Sequence, residues 1–175
     1  LLDYFEQLNR HTFVTIEYGI ESANDDTLRR INRGHDFECA RSIVEKTAER
    51  GINVGGHVIL GLPGEDADES LRQAPVISAL PLNMLKIHQL QVIKDTRLAE
   101  IYQSEPFHLY TVNEYISLIT EYIQYLRKDL VLERFVSQSP KQLLIAPDWG
   151  LKNYEFTNLL NNHLKATGAY QGKKV

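Results

Sequence analysis

An α/β fold, a parallel sheet with outer helices, is what this sequence predicts, and two observations carry the prediction. Runs rich in β-branched and aromatic residues alternate with segments whose apolar residues recur at helical spacing. Each strand-like run also places its polar residues on one set of alternate positions, giving it one apolar and one polar face. Strand, helix, strand, helix, strand, helix is the order that right-handed crossovers join into a parallel sheet.

The elements follow in order. "LLDYFEQLNR" reads as an amphipathic helix; it opens without Met, which suggests that an upstream part is missing. "FVTIEYGIES" (13–22) is the first strand. Ser22, with an acid three positions on, marks the start of a helix through "DDTLRRINRG". Asp36 is placed to cap a helix over 37–50, with Phe37, Ala40, Ile43, Val44 and Ala48 on one face and Gly51 to end it. "INVGGHVILGLP" is the second strand, followed by an acidic loop and a helix over 67–79 that Pro75 should weaken in its second half. "MLKIHQLQVI" (84–93) is the third strand. Thr111 and Glu114 form a capping box for a long helix with Tyr115, Leu118, Ile119, Tyr122 and Leu126 on one face. "ERFVS" and "QLLIAP" read as short strands, 151–166 as a final helix and "QGKKV" as a frayed tail.

Composition narrows the function. At 175 residues the chain suits one hydrophobic core. Its net charge of −4, without a long basic block, argues against a general electrostatic grip on nucleic acid or anionic membrane. No apolar run approaches the ~18–20 residues of a membrane helix, and no secretory signal pattern opens the chain, so a soluble, cytoplasmic protein is expected. Cys39 is the single cysteine, so no disulfide framework or multi-cysteine metal site is expected, and a small buried hydrophobe on a helix is its expected role. The six histidines show no metal-binding spacing, and neither G-x-S-x-G nor a P-loop occurs.

The strand faces point to a site. Val14, Ile16, Tyr18 and Ile20, then Ile52, Val54, Val58 and Leu60, then Leu85 and Ile87 are apolar faces suited to a helix layer. Opposite them lie Glu17, Glu21, Asn53, His57, Lys86 and His88. Parallel strands covered on both sides are usually apolar on both, so this pattern suits a barrel or half-barrel enclosing a site, or the wet face of an open sheet. Glu17 and Lys86 are expected partners, because an unpaired buried charge costs several kcal/mol; such a pair serves a structure as readily as a site. "GLPGED" follows the second strand at its carboxyl end, where α/β folds gather ligand-binding loops; Gly61 and Gly64 permit close approach and Pro63 stiffens the turn.

The series "IEYGIES", "RRINRGHDFE", "GINVGGHVILGLPGED" and "IHQLQVIKDTRL" resembles the second half of the radical S-adenosylmethionine (SAM) barrel, a TIM-like fold. The resemblance is to the elongator-like and coproporphyrinogen-dehydrogenase-like group, in particular the YhcC-like Fe-S oxidoreductases, and "LERFVSQSPKQLLIAPDWG" resembles the C-terminal end of that branch. It implies a partial (β/α) barrel over 1–100 with a C-terminal α/β extension over 101–175, the two forming one structural unit. It also implies cofactor contacts at Glu21, beside the methionine or ribose part of SAM, and at Arg33, toward the SAM carboxylate. Ile59 and Gly61 match a motif laid against adenine. His57 stands where that motif has Gly or a ribose-contacting Asp, and Gln91 falls in the adenine or substrate region. Glu17, Lys86 and His88 complete a substrate pocket, and no residue of this chain is expected to be catalytic by itself or to bind a metal.

The family's CxxxCxxC loop, which holds a 4Fe-4S cluster, is not in this sequence. The resemblance therefore implies that the intact protein uses SAM and the cluster to generate a 5′-deoxyadenosyl radical, while this segment holds no cluster and is inactive alone. Its substrate, tRNA or a small molecule, is not legible. An unpaired strand edge would favour self-association. Two other readings remain open: a non-catalytic α/β binding module, and a non-radical barrel lyase or aldolase with Lys86 as the Schiff-base residue.

Overall fold

A computed structural model describes all 175 residues. The chain runs α1 (Leu2–Asn9), β1 (Thr15–Glu21), α2 (Asp25–Arg30), α3 (Phe37–Ala48), β2 (Asn53–Leu60), α4 (Ala67–Ser78) and β3 (Met84–Gln89). It continues through β4 (Val92–Ile93), α5 (Arg97–Ser104), α6 (Val112–Tyr122), β5 (Val131–Arg134), β6 (Leu144–Ala146) and α7 (Asn153–Thr167). Four strands form one parallel sheet in the order β1-β2-β3-β5, and β4 pairs antiparallel with β6. The fold is α/β, a parallel sheet with helices, as the sequence predicts.

Local chemistry sets most helix starts. The Asp36 carboxylate accepts from the Cys39 amide at 2.8 Å, Asp66 from Glu69 at 2.7 Å, and Thr111 with Glu114 forms a reciprocal capping box. Gly51, at φ +71°, closes the turn after α3. The apolar strand face is buried as expected: Ile20, Val54, Val58, Leu60, Leu85 and Ile87 join Val44 of α3 and Ala74 and Ile77 of α4. Tyr115, Ile119 and Tyr122 of α6 and Phe156 and Leu160 of α7 belong to the same cluster, so one core runs through both the sheet and the C-terminal helices.

Several expectations need correction. Ser22 does not cap α2; Asn24 does, accepting from the amides of Asp26 and Thr27, because the Ser22 hydroxyl is engaged with Glu65. The helix over 67–79 is present as Ala67–Ser78, and Pro75 does not interrupt its second half, since Ala74, Ile77 and Ser78 are buried on either side of it and packing outweighs the lost hydrogen bond. The C-terminal parallel strand is Val131–Arg134, displaced from "ERFVS", and it adds a fourth strand beside β3. A further helix, α5, beyond those the sequence predicts, starts at Thr96, whose side chain accepts from the Ala99 amide. Cys39 is exposed on α3, because the buried stripe there is Ala40, Val44 and Thr47. No helix is long and apolar enough to cross a membrane.

Gly61, at φ +84°, ends β2, and a Cβ there would lie 2.9 Å from the Tyr110 ring. Gly61→Ala is therefore expected to lower stability by at least about 1 kcal/mol, from the left-handed backbone and the crowding together. Urea unfolding checks this.

Candidate functional site

The polar face is shaped first by an irregular end of β1. The register with β2 shifts between Gly19 and Glu21, Glu21 adopts φ +65°, and the Ser22 amide donates to Ile20 O at 2.8 Å. This three-residue turn turns the Glu21 carboxylate inward at a conformational cost of about 1–3 kcal/mol. A buried network offsets that cost. Ser22 Oγ lies 2.5 Å from Glu65 Oε1 and 3.0 Å from Gln73 Oε1; Gln73 Nε2 donates to Glu65 at 2.9 Å and its Oε1 accepts from the Ala23 amide at 2.7 Å. Glu65, from "GLPGED", thus fixes the turn that presents Glu21. Sequence reasoning missed this role, although an acid in that loop and a serine beside Glu21 were the available signals.

Glu21 is the hub of the upper site. Its Oε1 is 3.7 Å from Arg33 Nη2, which donates to Gly19 O at 2.6 Å, and its Oε2 is 3.5 Å from His57 Nδ1. His57 Nε2 is in turn 2.6 Å from His88 Nδ1, the rings meeting edge to face. Burial pushes the Glu21 carboxyl up against the opposing pull of Arg33. Burial, then Lys86, holds His57 below its ordinary value, and burial, then His57, brings His88 down to about 4. Three buried atoms in this group make no hydrogen bond: Glu21 Oε2, which meets His57 Nδ1 only at ion-pair distance, Arg33 Nε and His88 Nε2.

His88 makes stability depend on pH. Its folded pKa of about 4 lies below the ordinary 6.5, so between those values the unfolded chain binds a proton that the folded chain does not. Stability is expected to fall as the pH drops from about 6.5 toward 4, and His88→Gln should flatten that slope. The raised Glu21 carboxyl contributes in the opposite direction, so comparing unfolding of the variant with that of the parent isolates the histidine.

Lower on the same face, Lys86 Nζ lies 2.6 Å from Glu17 Oε2 and 3.4 Å from Glu133 Oε1. The expected Glu17–Lys86 pair is present, with Glu133 as a third member. The hydrogen bond to Glu17 raises the Lys86 pKa and keeps it an ammonium, the opposite of what an amine nucleophile requires. Ile59 sits beside this row, half-buried and opposite His88 in the sheet register. Gly61 lies against Tyr110, and Gln91 lies beyond the end of β3, where its amide donates to Ser137 O at 3.3 Å and its Oε1 accepts from Ser139 at 2.8 Å. Gln91 lines a separate cavity of about 450 Å³ under the 136–152 segment. The face therefore gathers Glu17, Glu21, Arg33, His57, Ile59, Lys86 and His88, while Gly61 and Gln91 border neighbouring loops.

Residues 1–72 match the radical SAM superfamily and residues 82–166 match the radical SAM C-terminal domain. The chain belongs to the radical SAM superfamily. Among its relatives, the uncharacterised YtqA of Bacillus subtilis is 31% identical over 99% of this chain and 54% of its own length. YhcC of Escherichia coli is 29% identical over 86% of this chain and 50% of its own. More distant is the tRNA uridine(34) acetyltransferase of Methanocaldococcus infernus, 23% identical over 87% of this chain and 29% of its own length. The structure of Methanocaldococcus infernus Elp3 lacking its N-terminus matches with a TM-score of 0.83 at 21% identity, covering 97% of this chain and 40% of that one. This radical SAM chain thus spans about half the length of the YtqA and YhcC proteins.

SAM carries a carboxylate, an ammonium group and ribose hydroxyls. Glu21 Oε2 and Arg33 Nε, neither hydrogen-bonded, offer a carboxylate acceptor and a guanidinium donor, so this face suits such a ligand, and His88 Nε2 is left as an imidazole nitrogen for a second group beside it. A 4Fe-4S cluster does not fit the chain's own residues: the one cysteine is exposed on α3, and no group of three or more His, Cys, Asp or Glu side chains is placed to hold a metal ion.

Proposed function

We propose that this chain forms one wall of the SAM and substrate pocket of a longer radical SAM Fe-S oxidoreductase, its cluster held by residues outside this chain. The supporting observation is the convergence of three buried polar atoms that make no hydrogen bond, on Glu21, Arg33 and His88, upon one sheet face of a radical SAM fold. Arg33 would pair with the SAM carboxylate and Glu21 with its other polar groups, the His57 ring would lie against the ribose, and Ile59 and Gly61 against the adenosyl portion. Glu17, Lys86 and His88 would face substrate, with Gln91 at its margin. Residues 1–100 supply the barrel segment and 101–175 pack on it as an extension of the same unit. In reductive cleavage SAM supplies a radical that abstracts hydrogen from the substrate.

tRNA is the substrate class we favour, because a relative of this chain is a tRNA uridine(34) acetyltransferase. With a net charge of −4, phosphate contacts must be local rather than spread over the surface. The reading also gives the isolated chain a definite phenotype. Reduced and supplied with SAM, it is expected to be colourless and to release neither methionine nor 5′-deoxyadenosine, checked by absorbance and chromatography. A cluster absorbance band or SAM cleavage by this chain would overturn the division of labour. The edge of β1 away from β2 pairs with no other strand, and we place self-association there. Light scattering that shows a monomer at all concentrations would remove that part.

A further inference from the structure

Three ionisable side chains on the polar face form a connected line. His57 Nε2 and His88 Nδ1 stand 2.6 Å apart, so one carries a proton and the other accepts it. His57 Nδ1 faces Glu21 Oε2 at 3.5 Å, an ion-pair contact rather than a hydrogen bond, and a neighbouring carboxylate, which only accepts, favours the His57 proton on Nδ1. His57 Nε2 is then the acceptor, and His88 donates from Nδ1. That leaves His88 Nε2 as a bare lone pair, buried and without a partner, on a residue only 8% exposed.

We propose that Glu21, His57 and His88 form a proton relay whose receiving end, His88 Nε2, takes a proton from a hydroxyl or N–H of a ligand seated on the polar face; this rests on the pocket reading above. The ligand's O–H or N–H bond breaks as the new H–Nε2 bond forms, and the ligand keeps the electron pair. The His88 Nδ1 proton passes to His57 Nε2, and the His57 Nδ1 proton passes to Glu21 Oε2. Both rings end neutral with their protons on Nε2, the carboxyl is protonated, and nothing is oxidised or reduced. His88 would be the catalytic residue; His57 and Glu21 act through it. The His57–Glu21 separation is a few tenths of an ångström beyond a strong hydrogen bond, a gap typical of ligand-free sites that tighten on binding.

The surroundings favour the carboxylate as the proton's resting place. Arg33 beyond α2, Lys86 on β3 and Arg134 on β5 place cations around the rings, while Glu17 on β1 is the opposing anion, itself bonded to Lys86. A second positive charge on an imidazole is thus disfavoured, whereas a proton on Glu21 relieves a buried anion.

Nitrogen-15 NMR of the histidine rings in the 175-residue chain tests this without any ligand, so it can fail while SAM binding stands. His57→Gln and His88→Gln assign the signals. At neutral pH both rings should be neutral with Nδ1 protonated, and a coupling should be visible between His57 Nε2 and His88 Nδ1. On acidification the first proton taken up should switch both rings to the Nε2-protonated tautomer without making either an imidazolium. In Glu21→Gln the switch should vanish and the rings should protonate directly. A merely structural hydrogen bond would show no such paired switch. The relay is overturned if His88 carries its proton on Nε2 at neutral pH, or if the first product in the parent chain is an imidazolium; should Glu21→Gln fail to fold, the parent titration decides alone.

Discussion

Phe156→Ala is expected to lower the unfolding free energy by about 3–5 kcal/mol, measured by urea or thermal denaturation. Phe156 is fully buried, with its ring stacked on Trp149 at 5.9 Å and tilted against Tyr115 at 5.6 Å. Removing it opens a cavity between α6 and α7, where neighbouring aromatic rings cannot collapse without leaving their own contacts. The same cluster includes Val58 and Leu60 of β2 and Ile87 of β3, so the loss should appear as one cooperative transition shared by the sheet and the C-terminal helices. Two separated transitions would show that residues 101–175 fold apart from the sheet.

Arg33→Ala should weaken SAM binding by roughly ten- to a hundredfold, the equivalent of one charge-assisted hydrogen bond of about 1.5–3 kcal/mol. Calorimetric titration of SAM into parent and variant measures it. The guanidinium is partly exposed, anchored on Gly19 O and adjacent to the Glu21 carboxylate, so its truncation removes a donor without opening the core. A change in folding stability much beyond the surface range should therefore not accompany the loss of affinity. Equal affinity in both chains would mean that Arg33 serves only to hold the β1 turn.

The features read correctly from sequence were those set by short-range chemistry. Asp36 and Thr111 cap helices because their partners lie three residues away, and the apolar stripe of α6 repeats at helical period. The two faces of β1, β2 and β3 were legible because alternation is a property of the strand itself. What failed depends on distant partners. Both Ser22 and Asn24 are capping residues by type, and only the position of Glu65, 43 residues away, decides that Ser22 is taken. The pairing of Val131–Arg134 with β3 is likewise non-local, and Leu132, packed on the core, marks the alternation that "ERFVS" obscured.

The polar face followed the same rule. Sequence placed Glu21, His57, Lys86 and His88 on one side, yet it could not order their contacts. His57 is bonded to His88 rather than to Glu17, because Lys86 has already taken Glu17 and the register sets Ile59 opposite His88, leaving the two rings diagonal neighbours. The positive φ of Glu21 was equally hidden, since it persists only through a network reaching to Gln73.

The most direct test of the polar face as a cofactor wall is chemical-shift mapping of the isotope-labelled 175-residue chain during titration with SAM. Saturable shifts concentrated at Glu21, Arg33, His57 and Ile59, with Cys39 and the outer helices unmoved, are the expected result. Shifts confined to the cavity lined by Gln91 and the 136–152 segment, or none at all while the chain remains folded, would contradict it.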